Sequence, residues 1–336
     1  MAFKDIIGHD QPIRRLQKYL QAGRFQGAYL FSGPEGIGKS LVAKTLAKAL
    51  NCQHPQNDSC DLCPSCIKIE KGQHPDVHCI DVAAAPLAGA DTGRQRKTEN
   101  ISLEIKIEYI RQLQEKISFK PYEGKKKIFI INDAHTMNQE ASNAFLKALE
   151  EPPKDSVIVL LSAKPALLLR TIVSRCQTVK FSCLSREALE DILKQQYHLE
   201  SMQTHFLSYF CEGRIGAALR LKERDIVGEK NRIIDQCILN PKSFSRWGGT
   251  FSRQDMRDTL TVMVTWFRDA YLLKVGLPKE DIINLDRRDE LRTFSGRYTL
   301  TDLDEIVQMI SNSFVYVEQN VNVKLLLSTI QATLTR

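Results

Sequence analysis

Two clusters of residues have types and spacing suited to chemistry. The first is Gly33-Pro34-Glu35-Gly36-Ile37-Gly38-Lys39-Ser40, which matches G-x-x-x-x-G-K-[ST]. In such a loop the glycines let backbone N–H groups turn inward around phosphate oxygens, and the helix that follows adds the favourable end of its dipole. The lysine reaches the terminal phosphates and the hydroxyl residue ligates Mg2+. The loop is therefore read as a site for ATP or ADP with Mg2+; a glycine-rich turn without a ligand is the plain alternative. The second cluster is Cys60-x2-Cys63-x2-Cys66, with Cys52 eight residues upstream. Four thiolates at this spacing can wrap one tetrahedral Zn2+ and leave no open position, so the ion would be structural. Redox pairs and iron–sulfur clusters use similar spacings, and His54 and His74 are alternative ligands if Cys52 proves too distant.

Turnover of a bound nucleotide needs more than the loop. After the apolar run Lys127 to Ile131, where an ATPase of this kind carries adjacent acidic residues, the chain reads Asn132-Asp133. An amide in the first place holds a metal less well, and an aspartate in the second is one methylene shorter than a glutamate. Asp133 is thus either a weak catalytic carboxylate or a cap of the turn that follows.

These residues need a scaffold. Ala28 to Ser32, Lys127 to Ile131 and Val157 to Ser162 have the length and β-branched content of strands buried on both faces, which implies a parallel sheet. Helical patterns run over Leu41 to Leu50, Ile105 to Lys116 and Asn138 to Glu150, the last stopped by Pro152-Pro153. The alternation predicts a doubly wound α/β domain. A helix over Ala166 to Val173 and a strand over Gln177 to Phe181 close it. From Ser185 to Leu221 the spacing is helical, in two segments parted by Gly213 and Gly216, and amphipathic stretches at Met256 to Leu273 and Leu303 to Val317 predict a further all-helical domain. The segment Ala83 to Asn100, with Arg94, Arg96 and Lys97, reads as a mobile basic loop.

A length of 336 residues allows two or three domains. The net charge of +7 is spread over many helices, so nucleic-acid contact is a hint only. Nine cysteines, an odd number, fit reduced thiols or a metal site better than a disulfide framework. The N-terminal MAFKDIIGHD has no apolar signal core and no run reaches membrane-spanning length, so a cytoplasmic chain without membrane contact is expected.

Cys52 to Cys66 followed by Gly72-Gln73-His74-Pro75-Asp76, the stretch Asn143 to Pro153, and Ser174-Arg175-Cys176 together resemble the clamp-loader subunits of bacterial DNA polymerase III, members of the AAA+ class. The resemblance covers about the first 220 residues. It implies an AAA+ phosphate-loop domain over 1–182 with a zinc module at 51–76, a small helical lid over 183–222 and an all-α collar over 223–336. It also implies that Arg175 enters the nucleotide site of an adjacent subunit as a trans arginine finger; a pairing with a carboxylate of its own surface is the alternative. Ser162 stands where the family carries a polar nucleotide sensor. Asn132-Asp133, Gly216 in place of a phosphate-sensing arginine, and the end of the chain after one helical domain are similar to the non-hydrolysing, delta-prime type. A gamma/tau-like motor is the alternative, and the intact loop favours it. A small-substrate kinase is a third class. Implied partners are gamma/tau-type and delta-type subunits in a hetero-pentamer, a sliding clamp, and primed DNA through the complex. Trp266-Phe267-x-x-Ala270-Tyr271 is either collar interface or plain core.

Overall fold

Strands β1 (Gly27–Ser32), β3 (Lys127–Ile131) and β4 (Ser156–Ser162) are almost wholly buried, as their unbroken apolar runs require. They lie side by side in one parallel sheet of order β2-β3-β4-β1-β5, with β2 (Val77–Ile80) and β5 (Cys176–Lys180) at the edges. This is a computed structural model describing residues 1–23, 25–54, 57–81, 104–240, 253–276, 281–319, 321 and 323–334. The basic loop expected around Arg94, Arg96 and Lys97 lies outside the described residues.

Alternation along the central strands separates two apolar layers. Tyr29, Phe31, Val157, Val159 and Leu161 point to one face, where α1 (Asp10–Gln21) contributes Leu16 and α2 (Lys39–Asn51) contributes Val42 and Leu46. Ala28, Leu30, Phe129, Ile131, Ile158 and Leu160 point to the other. There α4 (Ile107–Ser118) supplies Ile110 and Leu113, and α5 (Gln139–Glu150) supplies Phe145. Each layer is a set of side chains removed from water at about 25 cal/mol per Å². The short α3 (Pro64–Glu70) belongs to the cysteine segment.

Three expectations change. Strand β2 was not predicted; its half-exposed pattern is that of an edge. The helix expected over Ala166 to Val173 is a 3-10 turn, Pro165–Leu167, followed by a four-residue α6 (Arg170–Val173). Leu168 between them is extended, and Leu168 and Ile172 are both buried in the second apolar layer. The two segments expected between Ser185 and Leu221 are three helices, α7 (Arg186–Gln195), α8 (Ser201–Cys211) and α9 (Ile215–Glu223).

The chain forms two compact units, Met1–Cys183 and Leu184–Arg336. The second continues with α10 (Ile226–Ile233), α11 (Arg253–Val275), α12 (Arg288–Ser295), α13 (Leu300–Glu318) and α14 (Val323–Leu334). Trp266, Phe267 and Ala270 on α11 are fully buried, with Phe294 edge-on to both rings, so that stripe is core apart from the exposed Tyr271. Lys230 on α10 is also buried, and both carboxylate oxygens of Asp286 accept from its ammonium at 2.6 Å. Among the described residues no helix is long and apolar enough to cross a membrane.

Candidate functional site

The phosphate loop leaves the end of β1 and runs into α2. Gly33 has no room for a side chain: a Cβ there would lie 2.4 Å from the carbonyl oxygen of Phe181. Gly36 and Gly38 have φ of 73° and 110°, a region open to glycine, and Gly38 caps α2. Pro34 and Glu35 are exposed on the outside of the loop, Ile37 is buried beneath it, and Ser40 is exposed in the first turn of α2. The Lys39 ammonium bends back and donates to the carbonyls of Gly33 and Pro34, both at 2.7 Å. Burial pushes its pKa below the ordinary lysine value, with Asp133 and then Glu35 pulling the other way. Ser162 ends β4 level with Ser32, and its carbonyl accepts from Gly33 N–H at 3.2 Å. The Ser162 hydroxyl is buried and accepts from Lys164 N–H.

Asp133 follows β3 in a left-handed conformation, φ 45°. Its side chain makes no capping hydrogen bond, so the capping alternative does not describe it; its backbone carbonyl holds the turn by accepting from Thr136. Asp133 keeps contact with solvent, yet its pKa is raised, first by partial enclosure. His135 works against that rise, Glu35 and Asp81 add to it, and Lys39 opposes it. The Asn132 amide donates to Asp81 at 3.4 Å. Asp81 follows the unpredicted β2, which is why sequence reading did not bring it to the site.

Arg175, just after α6, donates from Nη2 to Glu150 Oε1 at 2.7 Å and from Nη1 to the Thr171 carbonyl at 2.9 Å. The local pairing is therefore present in the isolated chain. Arg214 and Gly216 begin α9, and the Arg214 guanidinium donates back to the Cys211 carbonyl.

The Sγ atoms of Cys52, Cys60, Cys63 and Cys66 all lie within 4.8 Å of one another. Zinc–sulfur bonds of about 2.3 Å place tetrahedral sulfurs about 3.8 Å apart, so the four need only a slight contraction to share one ion. The backbone also prepares acceptor sulfurs: Cys63 N–H donates to Cys60 Sγ at 3.3 Å and Cys66 N–H to Cys63 Sγ at 3.5 Å. Burial works to raise the Cys63 thiol, but hydrogen bonds from Gln53 and Cys66 bring it down to about 6. This donor set fits structural zinc. His74 instead accepts from Asp76 N–H, so no histidine is needed in place of Cys52. Under the cluster lies Lys48 of α2, fully buried, bonded to Asp61 at 2.7 Å and Glu70 at 2.8 Å. Burial alone would lower its pKa; the two carboxylates outweigh that and raise it. Asp76 is buried too and accepts from the N–H groups of Tyr122, Glu123 and Gly124 at 2.7 to 2.8 Å.

A phosphate loop between β1 and α2, on a parallel sheet ordered β2-β3-β4-β1-β5 and followed in the chain by a helical unit, defines the AAA+ class. Residues 8–185 match the family model described as DNA polymerase III, delta subunit, and 239–332 match the one described as its C-terminal part. The chain belongs to this family, the delta-prime type of clamp-loader AAA+ proteins. It is 38% identical over 184 residues to DNA polymerase III subunit delta' of Bacillus subtilis, covering 55% of this chain and 50% of that one. It is 28% identical over 341 residues to subunit tau of the same organism, covering 93% of this chain and 57% of tau. These matches span 50% and 57% of the two relatives' own lengths. A gamma subunit-related protein of Thermotoga maritima has the same fold, with a TM-score of 0.53 at 17% identity over 96% of this chain and 98% of its own.

Proposed function

We propose that the chain serves a DNA polymerase III clamp loader as a nucleotide-holding stator. ATP or ADP with Mg2+ sits on Gly33 to Ser40, with Lys39 on the terminal phosphates, Ser40 on the metal and Ser162 near the γ-phosphate. Hydrolysis there is weak or absent. Arg175 is given to the nucleotide site of a neighbouring gamma/tau-type subunit, where it stabilises charge on the transferred phosphate. A delta-type subunit completes the hetero-pentamer, which opens a sliding clamp and places it on primed DNA in the cytoplasm. One zinc holds the 51–76 module, residues 183–222 act as a lid and 223–336 as a collar.

The observation that carries this reading is the pairing of a fully formed phosphate loop with a neutral Asn132 whose amide is turned to Asp81. This supports a site that keeps the residues of a phosphate loop while an amide stands where the usual metal carboxylate is expected. The match to tau over nearly the whole chain favours the second reading, a hydrolysing motor that uses Asp133. ATP hydrolysis by the purified chain, alone and with clamp and primed DNA, decides between them when Lys39→Ala is subtracted. Nucleotide binding without Lys39-dependent turnover fits the stator, and clear Lys39-dependent turnover makes the chain a motor.

A further inference from the structure

His9 lies outside the phosphate-loop motif, yet it is as intimate with the loop as any residue in it. The ring is 2% exposed and sits at the start of α1, whose first hydrogen bond is accepted by the His9 carbonyl. Its Nε2 is 2.7 Å from the Ile37 carbonyl oxygen. A carbonyl can only accept, so Nε2 carries the proton. The same ring meets Phe181 edge-on, with centroids 5.1 Å apart, and lies against Gly38, where an added Cβ would be 3.5 Å from Nε2. Phe181 in turn blocks the space at Gly33 and is tied to the sheet by its N–H on the Ser32 carbonyl. The loop is thus bracketed at both ends by one contact pair, Phe181 at Gly33 and His9 at Gly38.

The direction of the Ile37 carbonyl has a consequence one atom further along the chain. The described peptide bonds are trans, and in a trans peptide C=O and N–H point in opposite directions. When His9 holds the Ile37 carbonyl, it fixes the Gly38 N–H of the same peptide in the opposite direction, away from the imidazole. Glycine at position 38 leaves that peptide free to rotate, so an external restraint is needed to fix it.

We infer that His9 is a positioning residue of the phosphate loop: its Nε2–H on Ile37 presets the Gly38 N–H as a phosphate donor. This rests on the nucleotide-binding reading given above. Burial, the strongest influence on the ring, lowers its pKa; the Ile37 carbonyl and Asp10 oppose this and Lys39 adds to it. The ring is therefore neutral near pH 7, which spares the loop a second cation beside Lys39.

The test uses the full chain and a fluorescent ADP analogue with Mg2+, titrated into wild type, His9→Ala, His9→Gln and Lys39→Ala. Hydrogen exchange of the 33–42 amides is followed in the same samples. Loss of one preset donor is expected to weaken binding about tenfold in His9→Ala. A glutamine amide can donate at similar reach, so His9→Gln should recover most of that loss and restore slow exchange, which a general loss of packing would not do. Equal affinity and exchange in wild type and His9→Ala overturn the inference, as does equal impairment in the alanine and glutamine variants. Absence of Lys39-dependent binding in the wild type overturns the nucleotide reading instead, and exchange alone then decides for His9.

Discussion

Arg175 and Glu150 are joined at 2.7 Å, guanidinium to carboxylate, between the end of α5 and the second residue after α6. The proposed trans-acting arginine is thus already held by its own chain, on one edge by Glu150 and on the other by the Thr171 carbonyl. An exposed pair of this kind contributes at most about 1 kcal/mol, so exchanging Glu150 for phosphate oxygens is inexpensive. Arg175→Ala should change the unfolding free energy by less than about 1 kcal/mol. In an assembled complex it should slow hydrolysis at the neighbouring site on the order of a thousandfold. Denaturant melts and single-turnover ATPase measure the two, and an unchanged rate removes Arg175 from the mechanism.

The cysteine cluster predicts metal content. Purified protein should carry one zinc per chain by elemental analysis. Cys63→Ser, which replaces a thiolate that also caps α3, should lose the ion and lower the melting temperature. Wild-type protein without zinc, together with a variant that melts like it, would leave four ordinary thiols.

Asp76 predicts a pH-dependent contribution to stability. Burial works to raise its pKa, but three N–H donors outweigh that and hold it below the usual 3.8. The stabilisation is present above pH 3.8 and is lost as pH falls through that value toward the lower folded-state pKa. Asp76→Ala should cost on the order of 3 kcal/mol at neutral pH by stranding those donors. Urea melts at pH 7 and at pH 3 should show the gap between variant and wild type shrinking in acid.

His78 titrates in a different window. It stacks on Phe129 at 5.1 Å, and burial, with Lys116 and Lys127 nearby, pushes its pKa down to about 4 from 6.5. Above pH 6.5 the ring is neutral in both states. Between 6.5 and about 4 the unfolded chain takes up a proton that the fold refuses, so stability falls as pH falls. His78→Phe, which keeps the stack, should flatten that part of the profile, and an unchanged slope would place the ring in solvent.

Strands β1, β3 and β4 were legible because burial on both faces leaves an unbroken apolar run. Strand β2 was not: Val77-His78-Cys79-Ile80 is short and half-covered, and nothing local distinguishes it from loop. The phosphate loop and the cysteines were legible because their ligands act from adjacent backbone and fixed spacing. His9, Asp76 and Asp81 were not, because each takes its role from a partner 28 to 51 residues away. The Ala166 to Val173 pattern misled because Leu168 and Ile172, both buried, keep the i, i+4 spacing of a helix face although Leu168 itself is extended.

Helix α2 begins at Lys39, beside the phosphates' expected place, and ends at Asn51, whose side chain exchanges hydrogen bonds with Lys126 just before β3. The next residue is Cys52, and one turn before it Lys48 grips Asp61 and Glu70 of the cysteine segment. Thirteen helical residues make a strut about 20 Å long. Its far end is anchored by sulfur and its near end presents the lysine. The proposed metal and nucleotide would therefore share one rigid rod, and stripping the first should be felt as a change in grip on the second.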